Sequence, residues 1–346
     1  MPKALKTSAS FAKRLLAWQK LHGRHDLPWQ VSNDPYKVWL SEIMLQQTQV
    51  VTVMGYYSHF LQRFPTVFDL AKASLDEVLG LWSGLGYYSR ARNLHRCAQR
   101  VVQAHAGVFP ASKHALQQLP GIGPSTAAAM ASLCFGQREA ILDGNVKRVL
   151  TRVYGFALDL SQASNEKALW NIAEQVLPKH SSDMPAYTQG MMDLGATLCS
   201  RTRPACERCP MLGLCVAQKE GQATLYPVKL RKLKRSAESM WLLCARTQDG
   251  AAWLQQRPPI GVWASLYTPP IFSSEQALLD SLPTRLQTQV TWAPAFVHVL
   301  THKDLHLHTA HLVLSGEKTL GTGQWLSSQD WPSRGLPAPV RQLLLA

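Results

Sequence analysis

The sequence predicts an all-helical body over residues 1–220, a basic linker over 221–236 and a smaller α+β domain over 237–346. Three observations carry this reading. Apolar residues recur at helical spacing through the first two hundred positions, between short turns marked by Pro and Gly. Beyond residue 236 the pattern changes to short apolar runs separated by Pro-Pro pairs. Charge divides at the same place. Of the formal net charge of +14, residues 236–346 contribute nothing, with seven Lys/Arg against seven Asp/Glu, and residues 1–235 hold 29 basic and 15 acidic side chains.

The elements follow in order. Ser10 is placed to cap a first helix with the stripe Phe11, Leu15, Trp18 and Leu21, ended by Gly23. Tyr36–Leu45 is mostly apolar and reads as a largely buried helix, and Gln49–Phe64 as another, closed by Pro65. Helices are then expected at 75–81, 90–105, 116–119, 124–135, 146–154 and 166–177, with turns at Phe109-Pro110 and Leu119-Pro120-Gly121. Lys229–Arg235, five basic residues in seven, reads as solvated linker. Trp241–Ala245, Ala251–Gln255 and Leu305–Leu314 read as strands, with turns at Pro258-Pro259 and Pro269-Pro270. Ser274 and Pro283 bracket a short helix over Glu275–Leu282. No internal repeat is visible.

With 46% hydrophobic residues in 346, the chain can bury a core, which excludes wholesale disorder. No run of about 18 apolar residues occurs, so no membrane-spanning helix is expected. Met1–Ser10 has basic residues but lacks the apolar stretch of a secretory signal, so the expected compartment is the cytoplasm, at the nucleoid in a bacterium. A basic excess confined to residues 1–235 fits a polyanion, because each phosphate neutralised releases counterions. A merely soluble basic domain is the plainer reading.

Cys97, Cys134 and Cys244 are scattered, whereas Cys199, Cys206, Cys209 and Cys215 crowd into seventeen positions with spacing C-x6-C-x2-C-x5-C. A chain with this much core needs no disulfide ladder. Four thiolates on loops of this length can surround one [4Fe–4S] cluster. Zinc, which more often takes two separated C-x2-C knuckles, is the alternative. Arg201, Arg203, Arg208 and Lys219 would set positive charge beside that loop, and a cluster there can serve only to shape it.

Leu119-Pro120-Gly121-Ile122-Gly123 precedes an apolar run that starts at Pro124. Gly121 and Gly123 let the backbone turn and aim N–H groups at a phosphate from a helix N-terminus. The segment resembles the helix-hairpin-helix motif, which grips the DNA backbone without reading sequence; a plain turn between helices is the alternative. Two carboxylates also stand out. Glu42 lies among Leu40, Ile43, Met44 and Leu45, a setting that resists ionisation. Asp143 lies just before the helix from Val146, where it can cap that helix and stay charged beside its amides. One carboxyl held neutral and one held charged is the arrangement that breaks a glycosidic bond. Taken singly, Asp143 reads as a cap and Glu42 as a partly exposed helical residue.

Leu40–Val50, Gly84–Asn93, the Leu119–Gly123 hairpin, Leu142–Val149, Met191–Ala196 and the four cysteines, in this order, resemble the MutY adenine DNA glycosylase family of the helix-hairpin-helix superfamily. The resemblance is close over residues 10–218 and looser beyond. It implies excision of undamaged adenine mispaired with 8-oxoguanine or guanine in duplex DNA. In it Glu42 protonates adenine N7, Asp143 stabilises the oxocarbenium-like sugar, Asn145 orients the site, and water leaves an abasic site. The base must leave the stack, and something must fill the gap. Gln47 and Tyr87 match the family's wedge positions and Thr48 its contact to 8-oxoguanine, while Trp29, Leu45 and Gln189 match positions lining the adenine pocket. A plain core aromatic is the alternative reading of Tyr87. The four cysteines match the family's [4Fe–4S] ligands.

Ser125, counted with that pocket, stands where the bifunctional endonuclease III-like enzymes carry a lysine, two residues after the last hairpin glycine. A hydroxyl there supplies no Schiff-base amine, so a monofunctional glycosylase is expected. The C-terminal domain resembles the family's Nudix-like module for recognising 8-oxoguanine, with Gln255–Trp263 as its early strand and loop. It has only three Glu and no Glu-rich metal-binding run, so nucleotide hydrolysis is not expected. Where the family often has Phe-Ser-His, this chain has Leu300-Thr301-His302. Thr301 keeps a hydroxyl, and Leu300 loses aromatic stacking. His298, His302, His306, His308 and His311 read as one polar strand face, ahead of a metal site. A monomer on duplex DNA is expected, with no membrane partner and with a sliding-clamp contact left open. The rivals are a bifunctional lyase on oxidised pyrimidines, a non-catalytic iron–sulfur DNA-binding factor and, more distantly, a Nudix hydrolase.

Overall fold

A computed structural model of the protein describes residues 8–231 and 234–345. The leader reading at Met1–Thr7 and the linker residues Lys232 and Leu233 lie outside the described residues. The helices begin with α1 (Ser8–His22), α2 (Pro35–Met44), α3 (Val50–Arg63), α4 (Val67–Lys72), α5 (Leu75–Leu81) and α6 (Ser89–His105). They continue with α7 (Lys113–Gln117), α8 (Pro124–Phe135), α9 (Gly144–Tyr154), α10 (Ala163–Gln175), α11 (Met184–Thr197) and α12 (Val216–Lys219). Strands β1 (Ser236–Thr247), β2 (Ala252–Gln256), β3 (Tyr267–Thr268) and β4 (Ile271–Phe272) come next. Helices α13 (Glu275–Asp280) and α14 (Thr284–Gln287) then lead to β5 (Thr291–Trp292), β6 (Phe296–Val299), β7 (Lys303–Leu314), β8 (Gln324–Leu326) and α15 (Ala338–Leu345). No helix among the described residues is long and apolar enough to cross a membrane.

The order is helical first and sheet second, but packing does not follow chain order. One compact unit joins Met1–Gln47 to Cys97–Lys232, and the other joins Thr48–Arg96 to Leu233–Ala346. In the first, α1 contributes Phe11, Leu15 and Trp18 to a core completed by Val146, Val149 and Leu150 of α9 and by Tyr187, Met191 and Leu194 of α11. In the second, β1 and β7 pair in parallel over twelve residues at the centre of a sheet ordered β3-β2-β1-β7-β5. Strands β4, β6 and β8 attach to β1, β7 and β2. Leu278, Leu282 and Leu286 cover one face against Leu243, Ala310 and Leu312.

Helix α5 belongs to this second unit. An added Cβ at Gly80 would stand 1.9 Å from the Ser333 carbonyl oxygen, so only glycine lets that segment approach. Asp76 accepts hydrogen bonds from Gln256 Nε2 and the Tyr267 hydroxyl, both at 2.9 Å, and pairs with Arg334. The Leu336 carbonyl accepts from the hydroxyls of Ser83 and Tyr88.

Several sequence expectations need correction. Helix α1 begins at Ser8, so Ser10 lies inside it, and Leu21 is exposed. Helix α7 starts earlier than expected because the Ser112 hydroxyl accepts from the Ala115 amide. Helices α4 and α11 were not anticipated, although Thr66 and Asp69 form a reciprocal capping box at the start of α4. The described residues of the Lys229–Arg235 linker are exposed, and the Leu230 amide donates to Asp159.

Candidate active site

Helix α2 delivers Glu42. Asp34 caps it, accepting from the Tyr36 amide at 2.9 Å, and Pro35 takes the first position, where a missing N–H costs nothing. Val38, Trp39, Leu40, Ile43 and Met44 of the same helix are buried, so Glu42 is a half-buried carboxyl among apolar neighbours. Burial pushes its pKa up to about 8, and the charge of nearby Asp143 adds to the rise.

Asp143 caps α9, its Oδ1 accepting from the Val146 amide at 2.8 Å. The sequence led to a carboxylate held charged by helix amides. Burial instead raises the Asp143 pKa, while the Val146 and Asn145 amides and the cations Arg148 and Lys147 pull it back. The two acids remain distinct for a different reason. Burial and the Asp143 charge both raise Glu42, whereas Asp143 has two amides and two cations that favour its anion.

Helix α9 continues from Asp143 to the cysteine loop. Asn145 Oδ1 accepts from Arg148 Nη2 at 2.8 Å, and the same nitrogen donates to the Gly195 carbonyl at 2.6 Å. A Cβ on Gly195 would stand 2.5 Å from the Asn145 Cβ, so α11 can lie this close to Asn145 only because residue 195 is glycine. Arg148 Nε donates to the Cys199 carbonyl. Arg152, 1% exposed, donates to the Cys199 sulfur at 3.3 Å and to the Ser200 and Arg201 carbonyls.

All four clustered cysteines are half-buried and none is in a disulfide. They line one pocket, partly open to solvent, together with apolar side chains such as Val149 and Met211. Burial first, and then the neighbouring sulfurs, raise the thiols of Cys206, Cys209 and Cys215, with Cys209 at about 12. Four sulfurs set around an apolar pocket are a donor set that fits a multi-iron cluster, whose formation displaces those thiol protons.

In the hairpin, Gly121 has φ +77°, the left-handed turn expected of it. Gly123 does not: its φ is −83°, it caps α8, and a Cβ there would meet nothing within 4 Å. It is exposed, with open space beside its backbone. Ser125 Oγ accepts from the Leu142 amide at 3.0 Å, tying the start of α8 to the residue before Asp143. Trp29 is buried, Leu45 ends α2 half-buried, and Gln189 Nε2 donates to Asp193 at 2.9 Å.

Two expected wedge residues have strained backbones. Gln47 has φ 58° and Tyr87 φ 49°, a region non-glycine residues rarely adopt and which collects at functional sites. Gln47 is exposed and belongs to the first unit; Thr48, Tyr87 and the 300–302 turn belong to the second. Within the second unit, Arg90 Nη2 donates to Thr48 Oγ1 at 3.1 Å and to the Leu85 and Gly86 carbonyls at 3.2 Å. Its guanidinium also lies over the Tyr87 and Trp82 rings. The Tyr87 ring is 43% exposed, and its hydroxyl meets Thr301 Oγ1 at 2.8 Å. Thr301 and exposed His302 form the β6–β7 tip, closed by the Leu300 amide on the Lys303 carbonyl. Of the five histidines, His306 is exposed on β7, and His308 stacks on Trp241 at 4.4 Å.

Sequence reasoning gave no role to Arg90, Arg148, Arg152 or Asp193. Arg148 and Arg152 stand four apart on the helix that follows the acid, a spacing visible in the sequence. Nothing in the sequence marks Arg152 or Asp193 as buried.

Residues 40–175 match the HhH-GPD superfamily base excision DNA repair protein model, and residues 241–346 match a NUDIX domain. An adenine DNA glycosylase of Buchnera aphidicola subsp. Acyrthosiphon pisum is 36% identical over 98% of this chain and 97% of its own length. The human adenine DNA glycosylase is 34% identical over 96% of this chain and 73% of its own length. Among solved structures, a thermostable thymine-DNA glycosylase aligns with a TM-score of 0.55 at 30% identity, over 62% of this chain and 98% of that one. Endonuclease III in a non-covalent DNA complex aligns with a TM-score of 0.53 at 21% identity, over 64% of this chain and 99% of that one, a likeness of fold. With two relatives above 30% identity along most of their length, a helical repair domain and a C-terminal sheet domain, the chain belongs to the MutY-type adenine DNA glycosylase family.

Proposed function

We propose that the protein removes adenine paired with 8-oxoguanine or guanine in duplex DNA by hydrolysing the N-glycosidic bond, and leaves an abasic site without cutting the strand. The coarser activity is that of its family: an adenine DNA glycosylase of base excision repair, a hydrolase of N-glycosyl bonds. The observation that carries the mechanism is Glu42, protonated at neutral pH near an acid whose anion two amides and two cations favour. Its proton goes to N7 of the extruded adenine, which makes the base a neutral leaving group. Asp143, fixed by the α9 amides, then faces the positive charge developing on the sugar. Asn145, held by Arg148, orients the sugar and the attacking water.

Trp29, Leu45 and Gln189 line the base pocket. Gln47 and Tyr87 replace the lost stacking, and Thr48 and Thr301 offer hydroxyls to 8-oxoguanine. The hydrogen bond between Tyr87 and Thr301 supports a joint role for the helical turn and the β6–β7 tip in reading the lesion. Gly121 and Gly123 present backbone amides to a phosphate. Ser125 anchors Leu142 and offers no amine, which supports a monofunctional reaction. Cys199, Cys206, Cys209 and Cys215 would hold a [4Fe–4S] cluster, which when bound cross-links residues 199–215 into one rigid loop beside α9.

The test is an end-labelled duplex with adenine opposite 8-oxoguanine, run beside one opposite guanine. The expected result is breakage at that adenine after hot alkali and intact strands without it. Strands that survive alkali after incubation with folded protein contradict the glycosylase reading, and breakage without alkali contradicts the monofunctional one.

A further inference from the structure

We propose that Asp193 sets the base specificity of the site by fixing which end of the Gln189 amide faces the purine. This rests on the reading above that Gln189 lines the base pocket. The Asp193 side chain is fully buried and ion-paired with Arg24. Its Oδ2 accepts from the Arg24 backbone amide at 3.0 Å, and its Oδ1 from Arg24 Nε and Nη2, both at 2.7 Å. Gln189 Nε2, one helical turn earlier on α11, donates to the same Oδ1 at 2.9 Å.

A paired carboxylate only accepts hydrogen bonds, whereas an amide has one donating and one accepting end. Asp193 therefore takes the NH₂ of Gln189, because the flipped amide would set its oxygen against a carboxylate oxygen. The free end is the carbonyl, and Gln189 as a whole is half-buried. A fixed acceptor suits a purine with an amino group at C6, as adenine has. It opposes one with an oxygen there, as guanine and hypoxanthine have, because two acceptors would then meet. Arg24, 24% exposed, locks the carboxylate on the other side. One residue, Gln189, thus stands between the selecting charge and the base, and Asp193 acts as a positioning residue.

Three duplexes test this, with adenine, unsubstituted purine or hypoxanthine opposite 8-oxoguanine, measured as single-turnover excision rates. Gln189→Leu should slow adenine about tenfold more than purine, the effect of one hydrogen bond to the amino group. Asp193→Asn offers Gln189 either an oxygen or an NH₂, so the amide can flip. The adenine-to-hypoxanthine rate ratio should then narrow by about tenfold, close to one hydrogen bond's worth. Arg24→Lys keeps a cation but loses the fork, should shift the ratio the same way, and carries the test if Asp193→Asn does not fold. A ratio unchanged in the folded variants, with Gln189→Leu still selective for the amino group, overturns the proposal and leaves the pocket reading intact. Equal slowing of adenine and purine by Gln189→Leu overturns both.

Discussion

Glu42 shows at the scale of one residue how the fold spends stability on chemistry. Its pKa is about 8 in the native protein against an ordinary 4.5, so between those values the native state holds a proton that the unfolded chain releases. Stability is therefore greatest below pH 4.5 as far as this group is concerned, and falls as pH rises toward 8. Glu42→Gln removes that dependence. Thermal melts should show the variant more stable than the parent by a few kcal/mol at pH 8 and nearly level with it at pH 5, while excision is lost and duplex binding kept. This residue was legible because an apolar run around one glutamate is visible in sequence. Arg90 was not, since its role depends on three carbonyl or hydroxyl oxygens brought together by two turns. Arg90→Met leaves those oxygens without their cation and should cost about 2 kcal/mol in denaturant unfolding. It should also change the ratio of the excision rates measured opposite 8-oxoguanine and opposite guanine.

Among elements, α9 carries most of the consequences. It is capped by Asp143, presents Asn145, and carries Arg152, which contacts Cys199. Gly195 is where α11 comes against Asn145, so Gly195→Ala should cost about 1–3 kcal/mol through overpacking and should slow excision by shifting Asn145. Gly55 gives the opposite sign. It is exposed within α3 with open space around a Cβ, and Gly55→Ala should stabilise by about 1 kcal/mol without changing activity. Helix ends with a side-chain cap or a following glycine were readable, as at Leu75–Leu81, Pro124–Phe135 and the Ser274 cap of α13. The start of α1 and the presence of α4 and α11 were missed, although the α4 capping box was there to be read. The twelve-residue parallel pairing of β1 with β7 was beyond local reading, because its partners lie more than sixty residues apart.

For the whole molecule, the chain's charge and its packing divide it differently. The basic excess lies in residues 1–235, so duplex affinity should fall steeply with salt. Packing instead groups residues 48–96 with 233–346. Deleting residues 236–346 removes Tyr267, Arg334, Ser333 and Leu336 from their contacts with Asp76, Gly80, Ser83 and Tyr88. Hydrogen exchange should then quicken in α3 to α5 while α8, α9 and α11 keep their protection; equal protection in both sets contradicts this grouping. Sequence reading placed a boundary where composition changes. It could not place the second crossing near residues 47 and 96, which only packing creates.

The most direct measurement is the pH dependence of single-turnover adenine excision opposite 8-oxoguanine. Proton donation by Glu42 requires the rate to fall as pH rises through about 8, and ionised Asp143 requires it to fall again on the acid side. A rate that holds level to pH 9.5 or so, well beyond one unit above that value, or a Glu42→Gln variant as fast as the parent at neutral pH, contradicts the acid assigned to Glu42.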